Sequence, residues 1–145
     1  MSLRILDATL GDGYQTAMSA RTHTFTADEP TDVGGTDTAP TPVELLMGSL
    51  ASCTAITLRM YAQRKEWPLE DVKVQVHYTA KPTPSMVKHI SVIGPLDDAQ
   101  RARLLEIAEM CPVAKLLRTG VAMESRLAEP AGDRDPVDLP PVGER

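Results

Sequence analysis

The sequence predicts an α+β domain, with helices packed on one face of an antiparallel sheet. Three observations carry the prediction. A long, nearly charge-free segment follows a helix start signal at Thr41; "DVKVQVHYTA" and "MVKHISVIG" alternate apolar and polar residues with period two; and a cap-like start at Asp97 precedes a further apolar stripe. At 145 residues the chain fits one domain, able to bury roughly 68% of the surface its unfolded form exposes.

Residues 3 to 27 alternate weakly and are broken by Gly11, Asp12 and Gly13, a turn signal between strand-like runs, so a hairpin or meander is expected at the amino end. Asp28 to Pro42 contains three prolines, two adjacent glycines and many short polar residues, which favour turns, and is expected as a surface loop. A helix then begins with Thr41 as N-cap, Pro42 at the first helical position and Glu44 closing a capping box. Pro68 forbids continuation, so the helix should end near Lys65, at a length of roughly 36 Å.

Val72, Val74 and Val76 then share one face of a strand, opposite Lys73, Gln75 and His77. In the next run Met86, Lys88, Ile90 and Val92 alternate with Val87, His89, Ser91 and Ile93, and the two strands are expected to pair. Asp97 with Gln100 starts a helix whose stripe is Leu104, Leu105, Ile107 and Ala108. "CPVAKLLRTG" reads as a short helix with Gly120 past its end, and "VAMESRL" as a last strand. Residues 1–127 therefore form the domain, and 128–145, rich in proline and acid, a flexible tail.

Composition removes several classes of function. A net charge of −5, from 20 acidic and 15 basic side chains, provides no basic stripe for nucleic acid or anionic lipid. The longest uncharged run, Leu45 to Leu58, is fourteen residues against the about 20 of a membrane span, so it is read as a core helix. No secretory pattern opens the sequence, which favours a cytoplasmic location. Aromatic residues are 3% of the chain, too few for stacking platforms, and methionines such as Met47, Met60, Met86, Met110 and Met123 are expected to fill the core. His23, His77 and His89 are scattered on strands and read as surface residues; no spacing suggests a metal site, and no cofactor is expected.

The two cysteines, 58 positions apart, are the candidate chemistry. In a reducing compartment such a pair is free, catalytic or redox-active rather than a permanent bridge. Cys111 precedes Pro112 and so takes extended geometry at the N-cap of the short helix, where unpaired N–H groups favour an anionic sulfur. Cys53 has Leu46, Leu50, Ile56 and Met60 as helical neighbours and alone would read as a small hydrophobe. Together they match the needs of disulfide-forming redox chemistry, one attacking and one resolving thiol.

"TAPTPVELLMGSLASCTAITLRMYA" followed by "CPVAKLL" resembles the osmotically inducible protein C and organic hydroperoxide resistance (OsmC/Ohr) family, over about Arg21 to Leu127. The resemblance implies an intertwined homodimer in which antiparallel sheets from both chains wrap central helices. It also implies a thiol-dependent peroxidase for small apolar hydroperoxides, with Cys53 attacking the O–O bond, Cys111 resolving, and a lipoyl-type dithiol as reductant. One position departs from the family. Relatives hold an arginine with a glutamate ten places before the first cysteine, and here that place is Val43. Glu44, nine before, falls on the opposite side of the helix and serves as the capping acid. Arg21, Arg59 and Arg118 are the candidate cations. The alternative is a non-catalytic small-ligand-binding or structural protein on the same fold, its thiols idle.

Overall fold

The computed structural model describes residues 4–127. The proline- and acid-rich segment 128–145 lies outside the described residues. Three strands open the fold as a meander: β1 (Asp7–Leu10), β2 (Thr16–Ala20) and β3 (His23–Ala27), antiparallel with Ala8 opposite Met18 and Met18 opposite Phe25. This sheet is largely exposed, and burial begins where β3 ends, at Ala27 and Asp28.

The expected loop from Asp28 onward is more organised than its composition suggests. A single 3₁₀ turn, Thr31–Val33, lies within it. The whole segment folds around the Asp28 carboxylate, which accepts hydrogen bonds from Glu29 N, Thr36 N, Thr36 Oγ1, Thr38 N and Thr38 Oγ1 at 2.6 to 3.3 Å. These bonds, led by the Thr36 hydroxyl, hold the carboxyl far below its ordinary range. Gly35 is required there, since a Cβ would stand 1.8 Å from the Glu29 carbonyl oxygen.

Helix α1 (Pro42–Lys65) starts as its sequence dictates: Glu44 N donates to Thr41 Oγ1 at 3.2 Å and Thr41 N donates to Glu44 Oε2 at 3.3 Å. It ends at Glu66, whose backbone is left-handed with φ 56°. Strands β4 (Asp71–Thr79) and β5 (Ser85–Ile93) pair antiparallel over their full length, with Val72 opposite Val92 and Val76 opposite Lys88. Their alternation survives folding: Val72, Val74, Val76, Met86, Lys88, Ile90 and Val92 are half-buried, and the residues between them are exposed. Gly94 follows at φ 143°, where a Cβ would meet the Pro68 carbonyl oxygen at 2.2 Å. Helix α2 (Asp98–Ala108) is capped by Asp97 and Gln100 reciprocally, and α3 (Pro112–Thr119) is capped by Cys111.

Helix α1 packs on β4, α2 and α3. The main core joins Leu58, Tyr61, Ala62, Leu69, Leu104 and Ile107, with Leu58 and Leu104 fully enclosed; truncating either to alanine would cost about 2–5 kcal/mol. A smaller cluster joins Leu50, Cys111 and Ala114, with Cys53, Val76, Met86 and Val113 against it.

Four expectations need correction. Residues 121–127 form no strand: a strand needs a partner edge for its backbone groups, and the described strands pair only with one another, leaving Met123 and Leu127 exposed. Helix α1 is not sheathed all round. Leu46, Ile56 and Met60 are exposed on it, because one small sheet and two short helices reach only one side. By length and composition alone α1 would also suit a bilayer. Leu105 of the α2 stripe faces outward, and of the five methionines expected in the core Met86 packs against it and Met47 is half-buried, while Met60, Met110 and Met123 are exposed.

Candidate functional site

The smaller cluster is where the two cysteines meet. Cys53 lies midway along α1, half-buried; Cys111 caps α3 and is wholly enclosed. Cys53 packs against the cluster that encloses Cys111, so the two cysteines share one small volume although 58 positions separate them in the chain. Both are reduced.

Two donors converge on the Cys111 sulfur. Proline at position 112 forces Cys111 into extended geometry with ψ 143°, which turns its sulfur back over the first turn of α3, where Ala114 N–H donates to it at 3.4 Å. Thr54, fully buried on α1 one residue beyond Cys53, places Oγ1 3.4 Å from the same sulfur.

A cation completes the arrangement. Lys88 Nζ donates to Thr54 Oγ1 at 3.1 Å and to the Ala108 carbonyl at 2.7 Å, the latter at the open end of α2. Because an ammonium has no acceptor, the Thr54 oxygen must accept from Lys88, which leaves the Thr54 proton free to donate to sulfur. Burial pushes the Cys111 thiol up. The bonds from Thr54 and the Ala114 N–H, with the Cys53 thiol and the Lys88 charge, outweigh burial, and the thiol titrates below its ordinary value.

Lys88 was not singled out among the site residues in the sequence, yet its signal was present. It alternates in phase with Met86, Ile90 and Val92, which places a charge on an otherwise apolar inner face. None of the three arginine candidates is hydrogen-bonded to either cysteine among the described residues. Arg21 sits exposed in the β2–β3 turn; Arg59 donates to the Leu69 and Glu70 carbonyls, tying α1 to the entry of β4; Arg118 pairs with Glu109 and donates to its carbonyl. Glu44 is held in the capping box. His77 and His89 stack on the outer face of the β4–β5 ribbon with centroids 4.6 Å apart, and His23 is exposed on β3. Among the described residues no cluster of three or more His, Cys, Asp or Glu could hold a metal ion.

An open cleft of about 590 Å³ adjoins the cysteine cluster, lined by residues including Leu50, Met86, Lys88, Ala114, Leu117 and Arg118. Leu50, Met86 and Ala114 belong both to its wall and to the packing around Cys111. The site thus combines two cysteines packed in one cluster, donors around the Cys111 sulfur, and a mixed hollow in whose wall Lys88, Glu109 and Arg118 stand among apolar side chains.

Comparison with known proteins agrees on one family. The model of the family described as OsmC-like protein matches residues 35–126, which include both cysteines and Lys88. No protein of curated function matches the chain significantly. Among solved structures, an OsmC-like protein of Mycoplasma pneumoniae superposes with a TM-score of 0.69 at 16% identity, covering 81% of this chain and 88% of its own. An organic hydroperoxide resistance protein, OsmC, of Legionella pneumophila gives 0.60 at 22% identity, covering 81% and 90%. The organic hydroperoxide resistance protein OhrB of Bacillus subtilis gives 0.56 at 19% identity, covering 81% and 91%. At these identities the structural likenesses speak for the fold.

Proposed function

The chain belongs to the OsmC-like protein family, and from that premise we propose that it is a thiol-dependent peroxidase reducing organic hydroperoxides, with Cys53 attacking and Cys111 resolving. The observation that carries the reading is the packing of Cys53 against the cluster that encloses Cys111, beside an open cleft. Cys53 is the more accessible sulfur and therefore the one a hydroperoxide reaches. Its thiolate attacks the terminal peroxide oxygen and the O–O bond breaks. The alkoxide leaves, is protonated to the alcohol, and leaves a sulfenic acid on Cys53. The Cys111 thiolate then attacks the Cys53 sulfur, a disulfide forms and hydroxide departs as water. A dithiol of lipoyl type returns both thiols and is itself oxidised.

Two further elements belong to this reading. The working form is a homodimer, supported by the exposed Leu46, Ile56 and Met60 on the same helix as Cys53 and by an amino-terminal sheet with little cover of its own. A second copy would roof the hollow and favour alkyl over polar peroxides. The protein acts in the cytoplasm, where thiols are kept reduced. The non-catalytic rival draws support from one feature, Val43 in the place of the acid that relatives use to hold an arginine.

The test is a stopped-flow assay with cumene hydroperoxide on the reduced protein. The parent is expected to consume one equivalent and lose two thiols, Cys111→Ser to stop at a sulfenic acid trapped by dimedone, and Cys53→Ser to be inert. A Cys53→Ser variant as fast as the parent removes the proposal.

A further inference from the structure

We propose that Lys88 is a positioning residue that, acting through Thr54, keeps Cys111 in its thiolate form for both halves of the thiol cycle. The inference rests on the peroxidase reading for its consequences, but not for its geometry. Lys88 comes from the inner face of β5, and Ala108 O holds its ammonium at 2.7 Å so that it points at the cysteine cluster instead of at water. It makes no ion pair with a carboxylate among the described residues. Its charge is therefore available to the one group beyond Thr54 that can use it, the Cys111 sulfur. The other charged or titratable groups around the cluster and its cleft are Cys53 on α1, Tyr78 on β4 and the Glu109–Arg118 pair, which is neutral as a pair.

The chemistry follows in two steps. In closure, the Cys111 thiolate donates its electron pair to the Cys53 sulfur, the S–O bond of the sulfenic acid breaks, and hydroxide leaves with a proton from solvent. In reopening, a thiolate of the dithiol reductant attacks the Cys53 sulfur, the S–S bond breaks and Cys111 departs as thiolate. Its second thiolate then releases Cys53 and closes the reductant's own disulfide. A thiol of lower pKa is the better leaving group, so the mixed disulfide is directed to Cys53, which is also the accessible sulfur. Lys88 thereby substitutes at the resolving thiol for the cationic help that Val43 leaves unsupported at the attacking one.

Two arms test this. The first is independent of peroxide: the 240 nm thiolate absorbance of Cys53→Ser is titrated against pH, alone and with Lys88→Gln, which keeps a donor for Ala108 and Thr54 but no charge. Lys88→Gln is expected to move the Cys111 titration upward, and Lys88→Arg to restore it. The second follows single turnover with cumene hydroperoxide. Lys88→Gln should form the sulfenic acid at the parental rate and close the disulfide on the order of tenfold more slowly at pH 7, recovering at pH 9. An unmoved titration in a folded variant, or equal slowing of both steps at all pH values, overturns the proposal and leaves Lys88 as a tie between β5 and α2. If Lys88→Gln does not fold, the Lys88→Met titration replaces it with the same two outcomes. A parent that forms no sulfenic acid sinks the peroxidase reading, while the titration still decides the role of Lys88.

Discussion

Removing the hydroxyl that links the cation to the sulfur gives a prediction whose size follows from the structure. Thr54 is wholly buried, and its Oγ1 lies 3.4 Å from Cys111 Sγ and 3.1 Å from Lys88 Nζ. Valine has nearly the same shape, so Thr54→Val deletes the hydroxyl with little change in volume. The bond to sulfur is long, at 3.4 Å to a diffuse acceptor, and contributes about 0.5 kcal/mol, whereas a buried bond to a charged donor contributes about 1.5–3 kcal/mol. Lys88 is half-exposed and keeps the Ala108 carbonyl, so water replaces part of the loss and the second contribution falls to about 1.5 kcal/mol. The new methyl returns roughly 0.5 kcal/mol of apolar burial. The net destabilisation is about 1.5 kcal/mol, which lowers the urea midpoint of the reduced protein by roughly 0.7 M at a slope of about 2 kcal/mol per molar. The Cys111 titration should rise in the same variant. Thr54→Ser, which keeps the hydroxyl, should leave that titration in place. An unchanged midpoint for valine, or a serine variant whose thiol titrates like that of valine, would refute the linkage.

Gly35→Ala places a methyl 1.8 Å from the Glu29 carbonyl oxygen and should cost on the order of 2 kcal/mol, read as a lower melting temperature with faster amide exchange confined to residues 29–38. Asp28→Asn sets an amide donor against the Thr36 and Thr38 donors and should lower the melting temperature at neutral pH. The sign with pH is fixed by the lowered carboxyl: in the parent its stabilisation is complete above the unfolded value of about 4 and is lost progressively as pH falls below it, so the gap between parent and variant should narrow toward pH 2. Ile56→Glu puts a charge on the exposed stripe of α1; if a second copy covers that stripe, light scattering should read twice the 15.7 kDa chain mass for the parent and a single chain for the variant.

Local signals were legible because they act within a few residues along the chain. Thr41, Pro42 and Glu44 start α1, Asp97 and Gln100 start α2, and Pro112 with Gly120 bracket α3, each through hydrogen bonds that neighbouring residues can complete. Period-two alternation likewise fixed which faces of β4 and β5 turn inward, Lys88 included. The same pattern misread residues 121–127, since a strand exists only where another edge accepts its hydrogen bonds.

What the sequence determined by itself is the capped starts of α1, α2 and α3, the alternation of β4 and β5 and the extended geometry of Cys111 before its proline, all properties of a chain and its nearest neighbours. Tertiary structure decided the chemistry. Residues 53, 54, 88 and 111 converge only because α1 lies across the inner face of β4 and beside α3, so that side chains from a helix, a strand and a cap fill one small volume. Nothing in the spacing of those residues encodes the contact, because packing of apolar faces, not sequence separation, sets which side chains touch.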